Sequence, residues 1–367
     1  MICFVFGTTA EFIKLAPVLE RLRTLGISYT LMCTYQQGPD LTAHLEEAGA
    51  SVDIHLRSPQ ASSLKRVGQV PRWLTGVLFS AYRQRRTIRD RLTADGSRPL
   101  IVVHGDTMTA VVGALIGRAL RASVAHIEAG LRSGSIRHPF PEELDRRIVG
   151  QLANVHYAPW PDAAANLERV RGRVVITNGN TVTDAVRNAS FKGIAGSEAS
   201  TGFTGLVLLH RSEFLHNTNL INATLSELAA ISQEGSLTIV LDALAQAKMG
   251  DLVSSMEWGS ETRIVAKVPH RDFVSLLTAA DFVVTDSGGV QEECYALGIP
   301  CLIHRMRTER SEGLGTTAVL SGWDVRAIPQ FIGDVRAGVV HRGDATDEGS
   351  PSAVIVDDLI SSNFAKA

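Results

Sequence analysis

Short apolar segments alternate with amphipathic helical patterns along most of this sequence. Residues 2–7 form the first apolar segment, and residues 11–26 then repeat apolar side chains at helical spacing until Gly26 ends the pattern. Further strand patterns recur downstream, at residues 28–34, 100–105, 123–128 and 155–159. Strands that alternate with helices predict a parallel sheet with helices on both faces. Ligands of such sheets bind at the carboxyl ends of the strands, so the residues that follow each strand are the candidates for function.

The length of the chain, 367 residues, is too great for one hydrophobic core and suits two domains. A polar passage rich in Gly and Ser at residues 188–205 separates the first half from a second, in which the strand and helix patterns start again. We place the first domain at residues 1–171, the second at 172–349, and a final amphipathic helix at 350–367. The predicted fold class is α/β, with two parallel-sheet domains that face each other across a cleft.

The charged residues are almost balanced, with 36 Lys and Arg against 38 Asp and Glu, so no nucleic acid and no membrane surface is expected as a partner. The arginine-rich run at residues 83–91 is interpreted as one solvated helix face. No apolar run reaches the ~18 residues of a membrane-spanning helix, and the first residues lack the basic start of a signal peptide. The four cysteines form no C-x-x-C pair, which favours buried reduced thiols and a cytoplasmic location.

Two neighbouring strand patterns end in histidine, one spacer residue and an acid, as His104-Gly105-Asp106 and His126-Ile127-Glu128. The carboxyl ends of parallel strands lie at one sheet edge, so we expect Asp106 and Glu128 to lie close together. Acids that repel one another can keep a proton at neutral pH, as paired acid and base catalysis requires. A Pro-bounded turn that opens a helix adds Glu142, Glu143, Asp145 and Arg146.

Two other interpretations of these acids stay open. Asp106 and Glu128 could cap the helices that follow them. Alternatively, the two acids and the two histidines could bind a metal, although no spacing singles them out as ligands and we expect none.

A second candidate site lies in the segment "TDSGGVQEECYALGIP", which follows a buried strand and enters a helix. Ser287, Gly288 and Gly289 would present backbone N–H groups at the helix N-terminus, where phosphate oxygens bind well. Glu292, one turn later, could accept hydrogen bonds from sugar hydroxyls. The segment therefore predicts a nucleotide site.

Arginine side chains near this segment suit a diphosphate or a carboxylate ligand. They occur among acids at residues 305–312, and His210 and Arg211 lie at another strand end. The alternative is an internal salt-bridge network, and the sequence favours neither.

Taken together, these segments resemble those of bacterial UDP-N-acetylglucosamine 2-epimerases of the non-hydrolysing type. Seven segments carry the resemblance from the first strand to about Gly322, in the family's order and at similar separations: "VFGTTAEFIKLAPV", "VHGDTMTAVVGAL", "HIEAGLRSGSIRHPFPEELDRR", "NGNTVTDAV", "LLHRSEF", "VTDSGGVQEECYALGIP" and "RTERSEGLGTT". The resemblance implies the GT-B architecture, with two Rossmann-like domains, a final helix that crosses back to the first domain, and a homodimer. It also implies a reaction without a cofactor, and no G-x-G-x-x-G dinucleotide fingerprint is present.

In this family an acid removes the C2 proton of the sugar while UDP leaves C1, and UDP then adds back as C2 is reprotonated on the other face. One group cannot both remove and deliver a proton across faces, so carboxylates on both sides of the ring are needed. The resemblance implies Asp106, Glu128 and Glu142 as the catalytic acids, without assigning base and acid. It also implies that His210 lies near the diphosphate and that Arg310 stabilises the departing UDP. The predicted residues that bind the UDP-sugar are Lys14, Arg146, Arg211, Ser287, Gly288, Gly289 and Glu292.

Several positions depart from the family's pattern. Thr9 and Ala10 stand where the family has Arg-Pro, so a charged contact expected near the diphosphate is missing. Gln37 and Leu241-Asp242 replace histidines that help to form a site where a second substrate molecule activates bacterial members, so we expect this regulation to be lost. Phe214 replaces an asparagine. The chain is therefore interpreted as a divergent member.

Epimerisation of UDP-GlcNAc to UDP-ManNAc, or of a related UDP-sugar, is the function that the sequence favours. The first alternative is a hydrolysing 2-epimerase that releases ManNAc and UDP, although such enzymes often carry histidine and glycine in place of Glu128 and Ala129. The second is a GT-B glycosyltransferase with a UDP-sugar donor. A sugar-nucleotide sensor without activity is disfavoured because all three acids are present.

Overall fold

A computed structural model describes residues 1–64, 67–134, 141–190, 202–343 and 349–365 of the chain. The strands are β1 (Ile2–Phe6), β2 (Tyr29–Cys33), β3 (Ile54–His55), β4 (Leu100–His104), β5 (Ser123–Ile127), β6 (Val155–Ala158), β7 (Arg173–Ile176), β8 (Thr204–Leu208), β9 (Ser236–Leu241), β10 (Arg263–Ala266), β11 (Phe282–Thr285), β12 (Cys301–Ile303) and β13 (Ala318–Leu320). The helices are α1 (Thr9–Thr24), α2 (Gly38–Glu47), α3 (Val70–Arg83), α4 (Arg85–Thr93), α5 (Met108–Ala119), α6 (Glu142–Leu152), α7 (Pro161–Ala165), α8 (Val182–Ser190), α9 (Ser212–Leu215), α10 (Thr218–Ile231), α11 (Ala243–Ser255), α12 (His270–Ala279), α13 (Gly288–Ala296), α14 (Ala327–Arg336) and α15 (Pro351–Ser361).

The chain divides into two compact units, of which the first comprises residues 1–185 and 348–367. Its strands form a seven-stranded sheet in the order β3-β2-β1-β4-β5-β6-β7, and every described pair is parallel. The order reverses between β1 and β4, which is the switch point where ligands of such sheets bind. The loops after β1 and β4 therefore begin a site at this edge.

Helices cover both faces of the first sheet. Alternate residues of β1 point to opposite faces, so Phe4 packs with α1 and α15, whereas Val5 packs with α3 and α5. The arginines at residues 83–91 are exposed while Ile88 of α4 is buried, as expected for a solvated helix face. All four cysteines are free and buried, as predicted.

The last helix, α15, completes the core of the first unit. Its Ile355, Val356 and Leu359 are fully buried in the cluster that contains the apolar face of α1. Tyr157 Oη donates a 2.7 Å hydrogen bond to Asp358 Oδ2, and Arg173 forms an ion pair with the same carboxylate. Strands β6 and β7 are thereby joined to α15.

The second unit comprises residues 186–347. Its six strands are all parallel in the described pairs and follow the order β10-β9-β8-β11-β12-β13, so the switch point lies between β8 and β11. Helices α10, α11 and α14 contribute to the core on one face, and α12 and α13 to the core on the other. The predicted α/β fold class, with two parallel sheets flanked by helices, is confirmed.

The division between the units lies further along the chain than the boundary we place at residues 171 and 172. Strand β7 pairs in parallel with β6 and so belongs to the first sheet, and the first unit continues to Ala185. Helix α8 begins in the first unit and ends in the second.

The packing of α15 can be tested with Leu359→Ala. Leu359 has no exposed surface, so we expect this change to lower the free energy of unfolding by about 2–5 kcal/mol, the usual cost of a leucine-to-alanine cavity. The matched control is Leu25→Ala, at a side chain that is 45% exposed, with an expected change below ~0.5 kcal/mol. Urea unfolding followed by circular dichroism measures both. Equal losses would contradict the burial of α15.

Candidate active site

Asp106 lies on a tightly held turn after β4. Gly105 has a φ of +65°, a conformation that glycine adopts easily. The Gly105 N–H donates to the Ile127 carbonyl at 2.9 Å, and Nε2 of His126 donates to the Gly105 carbonyl at 2.7 Å. Burial lowers the pKa of His126 to about 4, so the ring is neutral and its single proton is assigned to Nε2 by this contact. The Asp106 carboxylate forms an ion pair with Arg146.

Glu128 directly follows β5 and has a φ of +65°, which is uncommon for a residue with a side chain. Its carboxylate is almost fully buried and is surrounded by donors. Lys14 Nζ lies 2.5 Å from Oε2, Asn180 Nδ2 donates to the same oxygen, and His104 Nε2 lies 3.8 Å away. The unusual backbone conformation and the ammonium group together hold this carboxyl group at the edge of the sheet.

Helix α6 brings further acids to the same sheet edge. Arg146 of α6 contacts Asp106, and its Nη1 lies 3.6 Å from Glu143 Oε2. Glu143 is fully buried and accepts hydrogen bonds from Ser133 N at 3.1 Å and Arg147 Nε at 2.9 Å, so it holds the start of α6 in place. Glu142 is the first residue of α6 and is partly buried, and its Oε2 has no hydrogen-bond partner among the described residues. The predicted turn before Pro141 includes residues 137–140, which lie outside the described residues.

Asp145 also belongs to this group, although the sequence did not single it out from the other acids. The side chain is buried, and no described residue forms a hydrogen bond with its Oδ2. Burial, and to a lesser extent the nearby charges of Asp106 and Glu142, raise the pKa of Asp145 to about 7. The first unit therefore brings Asp106, Glu142, Asp145 and Arg146 together.

In the second unit, a buried carboxylate organises the ends of β8 and β11. Asp286 accepts hydrogen bonds from His210 N at 3.0 Å and from Arg211 N at 2.8 Å. Burial raises the pKa of Asp286 and lowers that of His210, whose Nδ1 lies 3.6 Å from the carboxylate. Asp286 is not among the predicted site residues, even though it directly precedes the Ser-Gly-Gly segment.

Ser287 caps α13, since its Oγ accepts a hydrogen bond from Val290 N at 3.4 Å, and Gly288 and Gly289 form the first turn. Glu292, one turn further, is buried and accepts a 2.6 Å hydrogen bond from Arg310 Nη1. Two predicted site residues, Glu292 and Arg310, thus bind each other beside the helix start.

The internal salt-bridge alternative is also observed at the neighbouring arginine. Arg305 donates to Glu213 Oε1 at 3.0 Å and to Glu309 Oε2 at 3.2 Å. Arg307 is exposed.

The described part of the chain contains neither a metal cluster nor a membrane-spanning helix. Within it, no three or more His, Cys, Asp or Glu side chains are grouped so that they could hold a metal ion. None of its helices is long and apolar enough to cross a membrane.

Two parallel-sheet units, one with carboxylates at its strand ends and one with a Gly-rich turn at a helix N-terminus, are typical of an α/β enzyme. The family model described as UDP-N-acetylglucosamine 2-epimerase matches residues 90–340. The chain belongs to this family of isomerases.

Individual relatives match over most of the chain. A probable UDP-N-acetylglucosamine 2-epimerase of Ralstonia solanacearum is 30% identical over 345 residues, which cover 88% of this chain and 87% of the relative. The UDP-N-acetylglucosamine 2-epimerase of Bacillus subtilis is 31% identical over 341 residues, 89% of this chain and 84% of its own. The crystal structure of UDP-GlcNAc 2-epimerase from Neisseria meningitidis bound to UDP-GlcNAc has a TM-score of 0.79 at 27% identity and covers 98% of this chain and 99% of that one. The predicted family is confirmed.

The charge state of Asp145 predicts a pH dependence of stability. Because its folded pKa is raised to about 7, the folded state keeps a proton that the unfolded chain loses above about pH 4, and stability falls as pH rises through this window. Asp145→Asn cannot ionise, so we expect it to exceed the wild type in stability by roughly 1–3 kcal/mol at pH 8 and to match it near pH 4.

Thermal unfolding at both pH values measures this difference. Asp251→Asn, at an exposed position of α11, is the matched control and should show no such dependence. A lower stability of Asp145→Asn at pH 8 would contradict the raised pKa.

Proposed function

We propose that the protein is a non-hydrolysing UDP-N-acetylglucosamine 2-epimerase that interconverts UDP-GlcNAc and UDP-ManNAc. The observation that carries the proposal is the pair of carboxylates, Asp106 and Glu128, at the ends of adjacent strands, each beside its own cation. The relatives named above support the substrate, because one of them is described as bound to UDP-GlcNAc.

In the proposed reaction, a carboxylate of the first unit takes the proton from C2 of the sugar. The C2–H electrons form the C1–C2 double bond, and the C1–O bond breaks with its electron pair leaving on UDP. UDP then adds back at C1, while C2 takes a proton from a second acid on the opposite face. Asp106, Glu128 and Glu142 are the proposed catalytic acids, and no cofactor is needed because no net oxidation occurs.

The cations beside the acids support a separation of roles. Lys14 stabilises the charge on Glu128, and Arg146 stabilises the charge on Asp106. Asp145 lies near Asp106 and Glu142, and its pKa is raised to about 7, so it keeps a proton beside its charged neighbours below that pH. An ionised carboxylate and a protonated one can therefore coexist in the first unit, as the two half-reactions require.

The second unit is proposed to bind the UDP portion. The Ser287–Gly289 turn offers backbone N–H groups and the positive end of α13 to the diphosphate. His210 is partly exposed next to Asp286 and is proposed to contact the diphosphate, together with Arg211. Arg310, held by Glu292, adds positive charge where the leaving group develops negative charge.

Two further properties are proposed from the resemblance. We expect a homodimer, which sedimentation equilibrium would show as twice the mass of one chain. We also expect a cytoplasmic location, which the four buried, free thiols support.

The reaction is tested by incubating the protein with UDP-GlcNAc in deuterated water and following the sugar by NMR. Deuterium at C2 of a sugar that is still attached to UDP, with UDP-ManNAc formed, is the expected result. Free ManNAc would instead identify a hydrolysing enzyme, and a sugar that stays inert until an acceptor is added would identify a glycosyltransferase.

The site residues make a second prediction for the same assay. Asp106→Asn and Glu128→Gln should each lower turnover by at least ~100-fold, the low end for loss of a general acid or base, because neither amide can exchange a proton with C2. UDP binding, measured by calorimetry, should stay within ~3-fold of the wild type for both. Glu292→Gln is the matched comparison and should mainly weaken UDP binding. Full turnover in either first-unit variant would remove that residue from the mechanism.

A further inference from the structure

Buried polar side chains join three loops of the first unit below the candidate site. The loops follow β1, β2 and β4. Gln36, after β2, accepts hydrogen bonds from Thr109 N at 3.2 Å and from Thr109 Oγ1 at 2.9 Å, and Thr34 Oγ1 lies 2.7 Å from Thr109 Oγ1. A Cβ atom added to Gly7 would lie only 2.1 Å from Thr34 Oγ1. The loops are therefore packed against one another without room for a side chain at residue 7.

Glu11 lies at the centre of this arrangement. Its Oε2 accepts hydrogen bonds from Gly7 N at 2.9 Å, Thr8 N at 2.9 Å and Thr8 Oγ1 at 3.0 Å. Its Oε1 accepts a 2.6 Å hydrogen bond from Thr107 Oγ1, which in turn accepts one from Ala110 N at 3.1 Å. Thr8 caps α1 and Thr107 caps α5, so one carboxylate connects the starts of both helices.

Only one oxygen of Glu11 takes part in helix capping. Oε2 completes the capping box of α1 by accepting from Thr8 N, whereas Oε1 binds Thr107, whose own hydroxyl caps α5. The carboxylate is only 2% exposed, and burial raises its pKa to about 7 against the opposing effect of its hydrogen bonds. Keeping a charge there costs stability, as a buried carboxylate usually does. Buried groups that cost stability in this way are concentrated at functional sites, which indicates that Glu11 contributes to the geometry of the site.

Glu11 is connected indirectly to both candidate catalytic carboxylates, through Thr107 and through helix α1. Thr107, bound to Oε1, directly follows Asp106 in the chain. Lys14 lies three residues after Glu11 on α1 and contacts Glu128 at 2.5 Å. Glu11 is thus the link through which α1 and the Asp106 turn are held in register.

We infer that Glu11 is a positioning residue that fixes Asp106 relative to Lys14 and Glu128 through Thr107 and α1. The inference rests on the proposed function, since this geometry matters only if both carboxylates act on one sugar ring. In the proposed reaction Glu11 exchanges no proton with the sugar. Its loss misplaces the groups that do, and a shift of ~1 Å at a reacting centre can cost ~100-fold in rate.

The test compares Glu11→Gln, Thr107→Val and their double variant in the C2 exchange assay. A glutamine has one acceptor oxygen, so it cannot satisfy the donors on both sides. Each single variant should lower kcat by ~10–100-fold and leave KM and UDP affinity within ~3-fold. The double variant should lose at most ~3-fold more than the worse single variant, because both remove the same link. Thr107→Ser keeps the hydroxyl and should stay within ~3-fold of the wild type.

Ser350→Ala is the matched control. Ser350 Oγ donates to Asp184 Oδ2 at 3.0 Å and accepts from Ala353 N at 3.2 Å, so it repeats the Thr107 arrangement at the start of α15. It should lose thermal stability as Thr107→Val does, with kcat within ~2-fold of the wild type.

Three outcomes would overturn the role of Glu11 while wild-type exchange still supports the epimerase. They are an equal loss of kcat in Ser350→Ala, multiplicative losses of kcat in the double variant, and a loss of kcat in Thr107→Ser as large as that in Thr107→Val. Absence of C2 exchange in the wild-type protein would instead overturn the proposed function, and the inference with it.

Discussion

Parallel strand pairing is the constraint on which both candidate sites depend. In a parallel sheet, the carboxyl ends of all strands lie at the same edge. Leu100 pairs with Ile2 and with Ser123, so β1, β4 and β5 end side by side. Lys14 of α1, which follows β1, and Glu128, which follows β5, are far apart in the chain but lie in contact at this edge. In the second unit the same rule places His210 beside Asp286.

Buried charge is the second condition that the structure has to meet. Carboxylates that lose water are costly unless cations or N–H groups replace it. Glu128 has Lys14 and Asn180, and Asp286 has two backbone N–H groups. Among the described residues, no cation or N–H group binds Asp145 Oδ2, and the raised pKa of about 7 means that this carboxyl group avoids a buried charge by keeping its proton below that pH. The first unit therefore accommodates its buried acids in two ways, by donors beside Glu128 and by a raised pKa at Asp145.

The sequence predicts the parts of this structure that depend on local pattern. The helical spacing at residues 11–26 corresponds to α1, and the strand patterns at residues 100–105 and 123–128 correspond to β4 and β5. The His-x-acid endings lead correctly to the sheet edge where Asp106 and Glu128 lie. These features follow from side-chain periodicity and turn chemistry, which neighbouring residues determine.

Pairings between distant residues could not be predicted in the same way. Asn180 and Glu128 are separated by 52 positions, and Thr107 and Glu11 by 96. Asn180 lies within the "NGNTVTDAV" segment, whose resemblance to the family could have identified it as a site residue. In contrast, nothing in the sequence distinguishes Asp145 from Glu143 on the same helix. Both side chains are buried, but they differ in their hydrogen bonds. Glu143 accepts from Arg147 and Ser133, whereas Asp145 Oδ2 has no partner among the described residues. Strand β7, at residues 173–176, likewise belongs to the first sheet because it pairs with β6, and its position in the chain does not reveal this pairing.

The place of α15 in the first core has a consequence for how the chain is made. The second unit is continuous, so it can fold as soon as the ribosome has released it. The first unit cannot complete the core around α1 until the helix at 351–361 is synthesised, after the whole second unit. Until then, the part of this core that α15 covers stays exposed on the nascent chain.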